Sequence, residues 1–174
     1  MKKTLSAILF GFVFMSGMFF HATSAVAAEP QLLSTHGDWA VYTFTESGNK
    51  VCYMASQPKK AEGNYTRRGD IFAFVTHRPG ENSTNVFSYI TGYTYKQGAP
   101  VRLQIGSNRF ELFSQKDMAW ARNGETDQKI SDAVRRGSTM VVTGTSSRGT
   151  DTKDTFSLRG SSAAHDAMSR ACGV

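Results

Sequence analysis

Serine, histidine and aspartate side chains that could form a nucleophilic triad occur late in the chain. Ser146 and Ser147 follow a β-branched segment, and His165 and Asp166 are neighbours further on. A hydroxyl, an imidazole and a carboxylate that meet in space can carry out nucleophilic hydrolysis. The stretch 144–149 resembles a nucleophile elbow only loosely, because its strand does not lead into a helix. These four residues therefore define an alternative function, a hydrolase of an envelope polymer.

The remaining histidines and acidic residues do not follow the spacing of a metal or cofactor site. His36, His77 and His165 form no HExxH pattern. Asp151 and Asp154 lack the oxygen-ligand spacing of a calcium loop. No glycine-rich loop with a lysine is present to bind phosphate. The sequence predicts a protein without metal or cofactor.

Basic side chains form the other candidate site. Four lie in the segment 59–68 and three occur later, and together they could bind an anionic lipid headgroup, glycan or polymer if they shared one surface. The alternative is an ordinary solvated face. The candidate anion-binding residues are Lys59, Lys60, Arg67, Arg68, Arg135, Arg136 and Arg148.

The first 28 residues have the order of segments that is typical of a secretory signal peptide. Lys2 and Lys3 are followed by an uncharged apolar run over 5–20, and small residues then precede Glu29. This order predicts cleavage before Glu29. The general secretory route is expected, because no twin-arginine pair occurs. An uncleaved membrane anchor is the alternative, since the apolar run is long.

Loss of that segment changes the charge of the chain. The 174 residues carry a net charge of +6, and the two lysines of the segment account for two of these charges. Residues 29–174 therefore carry +4 and are long enough for one domain with a core of its own. So modest a charge argues against a nucleic-acid partner.

Two cysteines occur after the predicted signal peptide. Cys52 and Cys172 are predicted to form one disulfide, because exported proteins meet oxidising conditions. The loop that it closes would stabilise the fold by about 4–5 kcal/mol on the chain-entropy model. Two free thiols are the alternative.

Alternating and β-branched segments predict an antiparallel β-protein. Hairpins are expected from 37–44 with 51–55 and from 101–105 with 109–113. The other predicted strands cover 71–75, 86–95, 118–122, 139–144 and 155–158, while 58–68 is predicted to be a basic loop. The continuous apolar run 71–75 predicts a strand buried on both faces. Roughly eight or nine short strands favour a sandwich or a barrel.

Two segments depart from the strand pattern and predict short helices. One covers 126–136 with Thr126 as its cap, and the other starts at Ser162 and aligns Ala163, Ala167 and Ala171 on one side.

The rings of Trp39 and Trp120 are assigned to the core, because each lies in a strand-like segment.

Several motifs occur in a fixed order between positions 37 and 172. They include Gly-Asp-Trp at 37–39, Cys-Tyr at 52–53, Val-Thr-His-Arg-Pro at 75–79, Gly-Thr-Ser-Ser-Arg-Gly-Thr at 144–150 and Asp-Thr-Phe-Ser-Leu-Arg-Gly at 154–160. In these motifs the chain resembles the invasion-associated locus B family of proteobacteria. Some relatives carry further cysteines that this chain lacks, so their disulfide pattern does not transfer.

The resemblance implies an all-β, immunoglobulin-like antiparallel β-sandwich with one or two short helices. It also implies a periplasmic, secreted or outer-membrane-associated protein of a Gram-negative bacterium. The family is named for a host-cell invasion phenotype, and it supplies no catalytic residues. We therefore expect a signal peptide at 1–28 and a single domain at 29–174.

The expected function is an exported, non-enzymatic binding module of the cell envelope that contributes to host-cell invasion or to envelope stress tolerance. A surface adhesin or secreted effector is a further alternative. The partner is expected to lie in the envelope or on a host surface and to be a protein or an anionic glycan or lipid. Membrane contact is expected only peripherally or through an uncleaved signal segment.

Overall fold

Eleven antiparallel strands and two helices form the domain in a computed structural model that describes residues 29–174. The signal peptide predicted at 1–28 lies outside these residues. The strands are β1 (Gln31–His36), β2 (Trp39–Glu46), β3 (Asn49–Ser56), β4 (Lys60–Gly63), β5 (Phe72–Arg78), β6 (Ser83–Ile90), β7 (Val101–Ile105), β8 (Asn108–Gln115), β9 (Met118–Trp120), β10 (Thr139–Thr145) and β11 (Asp151–Ser157). The helices are α1 (Gly124–Arg136) and α2 (Ser161–Cys172).

The strands are hydrogen bonded in the order β1-β2-β3-β5-β6-β9-β8-β7-β10-β11-β4. We call the part from β1 to β9 the first sheet and the part from β7 to β4 the second sheet, with β8 shared between them. The two sheets pack face to face: the indole Nε1 of Trp39 donates to the carbonyl of Ser157 at 3.1 Å, and the rings of Tyr89 and Phe156 meet at 6.1 Å. The fold is thus an antiparallel β-sandwich with two short helices, as predicted.

The core lies between the sheets and beneath the helices. Alternation along the strands sends one set of side chains inward, since successive strand residues point to opposite faces. The main buried side chains are Trp39, Val41, Met54, Val75, Phe87 and Tyr89 of the first sheet, Leu103, Val142 and Phe156 of the second, and Ile130, Val134, Ala164 and Met168 of the helices.

Both helices begin earlier than predicted. The side chain of Asn123 caps α1 by accepting a hydrogen bond from the amide of Thr126 at 2.9 Å, so Thr126 lies inside the helix. Helix α2 begins at Ser161 after Gly160. Of the three alanines predicted to align on one side of α2, Ala167 and Ala171 pack partly buried against the core, whereas Ala163 is exposed and Ala164 is buried instead.

The strand pattern from sequence is confirmed for both predicted hairpins. Two edge strands were not anticipated: β1, and β4 within the predicted loop 58–68. The strand predicted over 86–95 ends at Ile90. Strand β5 is buried on one face only, because Phe72 and Phe74 are partly exposed.

The two cysteines are joined. Cys52 in β3 and Cys172 at the end of α2 form a disulfide, with their Cα atoms 5.9 Å apart and 120 residues apart in sequence. The bond ties the last helix to the first sheet, as the compartment argument predicted.

Candidate functional site

An open cleft of about 700 Å³ lies where three loops meet. Residues 64–69 connect β4 to β5, residues 92–94 follow β6, and residues 146–150 form the turn between β10 and β11. The residues that line it are Asn64, Tyr65, Thr66, Arg67, Arg68, Gly69, Gly92, Tyr93, Thr94, Ser146, Ser147, Arg148, Thr150 and Thr152. Three of the predicted anion-binding arginines therefore share one site.

Arg68 forms the floor of this cleft and is almost fully buried, with 4% of its side chain exposed. Its Nη1 and Nη2 donate to the two carboxylate oxygens of Asp154 at 2.7 and 2.6 Å, and its Nε donates to the carbonyl of Thr91 at 2.7 Å. This is a bidentate ion pair, the geometry that the planar guanidinium favours. The hydroxyl of Tyr89 donates to the same carboxylate.

The ion pair determines the protonation of its neighbours. Burial alone lowers the pKa of the Arg68 guanidinium, but the hydrogen bonds and the charge of Asp154 more than offset this, so that the pKa is raised. Burial, and then the negative charge of Asp154, raise the pKa of the Tyr89 hydroxyl. Arg68 is therefore a permanent cation whose charge is already neutralised, and it contributes structure rather than a free charge.

Two tyrosines form the aromatic sides of the cleft. The guanidinium carbon of Arg68 lies 5.4 Å from the ring centre of Tyr65 and 5.0 Å from that of Tyr93, within cation–π range. The hydroxyl of Tyr93 is hydrogen bonded to Oγ1 of Thr152 at 2.6 Å. Each ring is thus held in place beside the buried cation.

Glycine permits the loops to approach each other here. The amide of Gly69 donates to the carbonyl of Gly92 at 2.9 Å. Gly92 has a φ of +73°, and a Cβ on it would lie 2.4 Å from the carbonyl oxygen of Gly69. A side chain at position 92 would therefore force the two loops apart.

Arg67 and Arg148 supply the free positive charge of the cleft. Both side chains are exposed, and within residues 29–174 neither forms an ion pair. Among the described lining residues there is no carboxylate and no aliphatic side chain. The lining is instead rich in hydroxyl, amide, guanidinium and phenol groups.

The other four predicted anion-binding residues lie outside the cleft, and each is paired with a carboxylate. Lys59 contacts Asp38 at 2.6 Å and Lys60 contacts Glu62 at 2.7 Å, while Arg135 contacts Asp166 at 2.9 Å and Arg136 contacts Asp132 at 3.8 Å. The contact with Lys59, followed by that with Arg159, holds the pKa of the Asp38 carboxyl well below its usual range. The candidate surface thus reduces to the arginines of the cleft.

The hydrolase alternative is not supported by the geometry. The hydroxyl of Ser146 accepts from the amide of Thr150 at 3.1 Å. His165 lies in α2, where its Nε2 contacts Oδ1 of Asn85 at 2.7 Å, and Asp166 pairs with Arg135. Ser146, His165 and Asp166 therefore each have a different partner, and among the described residues neither serine is hydrogen bonded to the histidine.

Two features, a membrane-spanning helix and a metal-binding cluster, are absent from the described part of the chain. Along residues 29–174, no helix is both long enough and apolar enough to cross a membrane. The same stretch brings together no group of three or more His, Cys, Asp or Glu side chains able to hold a metal ion.

Sequence reasoning missed the two tyrosines of the cleft. Tyr65 lies in a segment that reads as a polar loop, and Tyr93 lies in one that reads as a strand. The available signal was composition: an aromatic residue among arginines, threonines and glycines in a loop is typical of a binding surface. Pairing the 64–69 loop with the 146–150 turn required the tertiary structure.

The fold and the cleft define a small antiparallel β-sandwich with two helices and a basic, aromatic cleft at its loops. The family model described as invasion associated locus B (IalB) protein matches residues 39–169, and the chain belongs to this family. The structure is similar to the crystal structure of invasion associated protein B from Bartonella henselae, with a TM-score of 0.59 and 20% sequence identity, covering 81% of this chain and 97% of that one. A search of curated proteins found no match.

Proposed function

We propose that the mature chain is an exported, non-enzymatic binding module whose cleft binds an anionic saccharide. The observation that carries this proposal is the composition of the cleft: two exposed arginines that form no ion pair within residues 29–174, beside two tyrosines and several hydroxyl groups. Each type of group matches one part of such a ligand.

The arginines would bind the acidic groups of the ligand. A guanidinium donates two parallel hydrogen bonds to a carboxylate or a phosphate. Arg67 and Arg148 lie on two different loops of the cleft, so they could contact acidic groups on successive sugar units. The buried Arg68 would position Tyr65 and Tyr93 without contacting the ligand through a free charge.

The rest of the lining favours a saccharide over a lipid. An acyl chain needs aliphatic surface, and the described lining contains none. Sugars instead need hydrogen-bonding partners and aromatic surface, which Thr66, Thr94 and the two tyrosines supply. The open, polar shape also suits a chain that enters and leaves the cleft.

The setting of this activity belongs to the same proposal. The segment 1–28 supports export, and an acidic polymer of the bacterial envelope or of a host surface is a ligand that an exported protein can reach. Binding to a host glycan would fit the invasion-associated family. Protease treatment of intact cells would distinguish a surface location from a periplasmic one.

Calorimetric titration of residues 29–174 with oligogalacturonate, a chain of uronic acids, tests the binding proposal. The variant R67S/R148S is expected to lower the affinity at least tenfold, because each lost charge-assisted hydrogen bond is worth about 1.5–3 kcal/mol. Neutral maltohexaose serves as the ligand control.

The variant R102S/R109S is the matched protein control. It also removes two exposed arginines, but both lie on the outer face of the second sheet and outside the cleft. Equal losses in the two variants would mean that only net charge matters, and this would refute a specific site. Equal binding of maltohexaose would show that the ligand need not be acidic.

A further inference from the structure

The outer face of the first sheet carries aromatic side chains over its middle and charged side chains only at its ends. Residues that are paired across antiparallel strands lie on the same face, so the register gives its composition directly. One row runs across six strands through Ala40, Ala55, Phe74, Ser88, Trp120 and Phe113. The row beside it runs through Leu32, Tyr42, Tyr53, Thr76 and Val86.

The second sheet supplies an internal comparison. The corresponding outer row there runs through Glu111, Arg102, Thr143, Lys153 and Glu62. Four of these five residues are charged, which is the ordinary composition of a sheet face in contact with water. Both faces belong to the same small domain, so the contrast cannot be a consequence of overall composition.

The aromatic face is accessible in the isolated chain. Leu32 is 58% exposed and Phe113 is 40% exposed, and these residues lie at its two ends. Phe72, Phe74 and Trp120 lie between these ends and are partly exposed. The prediction that the 71–75 strand is buried on both faces is therefore wrong, and so is the assignment of Trp120 to the core. The helices pack against the opposite, inner face of this sheet, where Cys52 and His77 pair.

Two pairs of rings on this face are stacked against each other. Tyr42 and Tyr53 are stacked at 5.1 Å with 13° between their planes, and Phe113 and Trp120 are stacked at 5.3 Å with 26°. Both distances are close to the strand spacing of about 4.8 Å, so these rings face their neighbours across the strands. One flat surface of each of these four rings is therefore covered by its partner, which makes them poorer platforms for a sugar ring.

The aromatic rings form two ridges with a furrow between them. One ridge is Tyr42, Tyr53 and Phe74 on β2, β3 and β5, and the other is Phe113 and Trp120 on β8 and β9. The shorter side chains of β6, Val86 and Ser88, lie between the two ridges. A surface with a ridge beside a furrow can fit a copy of itself about a two-fold axis.

The charges at the ends of the face are already neutralised. Arg78 pairs with Glu46 at one end, and Arg122 pairs with Glu111 at 3.0 Å at the other. Within residues 29–174, Arg78 and Arg122 are therefore paired and offer no free charge to an anionic membrane or an acidic protein. The face therefore favours a partner that is itself apolar and uncharged.

We propose that this aromatic face binds a second copy of the chain in a two-fold symmetric dimer. The face spans seven strands, or roughly 30 Å, and about 15 Å along the strands. Two copies would bury roughly 900 Å² in total, which is below the size of a stable specific interface and within the range of weak, transient ones. The dimer is therefore of modest affinity, and it forms independently of the cleft.

Sedimentation equilibrium of residues 29–174, from low to high micromolar concentration, tests this proposal. The wild-type chain is expected to dimerise reversibly. Phe113→Lys places a charge at an already exposed position and should weaken dimerisation at least tenfold, and Phe74→Ser should weaken it in the middle of the face. Circular dichroism confirms that each variant is folded, and Phe113→Lys keeps the test decisive if Phe74→Ser does not fold.

Val141→Lys is the matched control, because Val141 is a partly exposed apolar residue on the outer face of the second sheet. It should leave the dimer unchanged. The proposal is overturned if the wild-type chain stays monomeric over the whole concentration range. It is also overturned if Phe113→Lys leaves dimerisation unchanged. If the chain is monomeric and sediments with neutral phosphatidylcholine vesicles, and Phe113→Lys abolishes this, the face binds a lipid surface and the proposal is overturned.

Discussion

At the scale of single residues, the buried pair of Arg68 and Asp154 is the most consequential contact. Two charges removed from water are costly unless their geometry is good and their remaining hydrogen-bonding groups are satisfied. Here the pair is bidentate, and Thr91 and Tyr89 supply further hydrogen bonds. The pair links the loop before β5 to β11, and so holds the floor of the cleft.

Replacing Asp154 with asparagine should destabilise the domain by about 3–5 kcal/mol, because Arg68 would remain buried without a compensating charge. Urea unfolding at neutral pH measures the loss. The exposed pair of Glu125 and Lys129 provides the control, since Glu125→Gln should cost less than about 1 kcal/mol. A loss of similar size in both variants would show that the buried charge is solvated in some other way.

At the scale of elements, helix α2 is joined to the first sheet by a closed ring of hydrogen bonds. The amide of Asn85 donates to Nδ1 of His77 at 3.0 Å. Nε2 of His77 contacts Oγ of Ser169 at 3.0 Å, which lies 3.5 Å from Nδ1 of His165. Nε2 of His165 is hydrogen bonded to Oδ1 of Asn85 at 2.7 Å, which closes the ring. The ring connects β5, β6 and α2.

This ring requires the imidazole of His77 to be neutral. A backbone amide can only donate, so Nδ1 of His77 accepts, and the proton of His77 is at Nε2. A second proton on His77 would face the donor of Asn85. Burial, and then the proximity of His165, lower the pKa of His77 to about 4. Burial, followed by the charge of Arg135, lowers the pKa of His165.

Acid should therefore weaken the fold. A histidine whose pKa is lowered by folding contributes stability that is complete above the unfolded pKa, near 6.5, and is lost as the pH falls toward 4. Between pH 7.5 and 5, the wild-type chain should lose about 2 kcal/mol more than His77→Asn, which cannot titrate. Urea unfolding at the two pH values measures this difference.

The partly buried His36, which bonds to Ser34 at 3.0 Å, provides the control for this pH dependence. His36→Asn should keep the wild-type loss of stability on acidification. If the His77→Asn chain loses as much stability as the wild type, the imidazole of His77 is not the source of the acid sensitivity.

The disulfide is the second attachment of α2 to the first sheet. Removing it with Cys52→Ala and Cys172→Ala should cost about 4 kcal/mol, because the bond closes a long loop and restricts the unfolded chain. Thermal unfolding measures the loss, and treating the wild type with a reductant should reproduce it. Two free thiols, found by mass analysis of protein purified from its native compartment, would contradict the bond itself.

At the scale of the whole molecule, the cleft and the aromatic face are separate surfaces that share no residue. The loops build the cleft, whereas strand register builds the face. Binding of the saccharide and formation of the dimer should therefore be independent. R67S/R148S should leave the dimer constant unchanged, and Phe113→Lys should leave the affinity for oligogalacturonate unchanged.

Measuring each variant in the assay for the other surface tests this independence. Sedimentation equilibrium of R67S/R148S and calorimetry of Phe113→Lys should each give the wild-type value. A change of more than about tenfold in either one would mean that the surfaces are coupled by more than 1.4 kcal/mol.

Sequence alone determined the class of the fold, both hairpins, the pairing of the cysteines and the family. These follow from local patterns: alternation encodes which face of a strand is buried, and compartment decides the state of a cysteine pair. Sequence could not say which basic residues meet, because Arg67, Arg68 and Arg148 lie in loops whose proximity depends on how the sheets close. The sequence-based prediction of burial also failed for Phe72 and Phe74. A run of apolar residues has the same pattern whether its second face is covered by the chain's own core or by another molecule. Tertiary structure decides both questions, because they depend on contacts between residues that are distant in sequence.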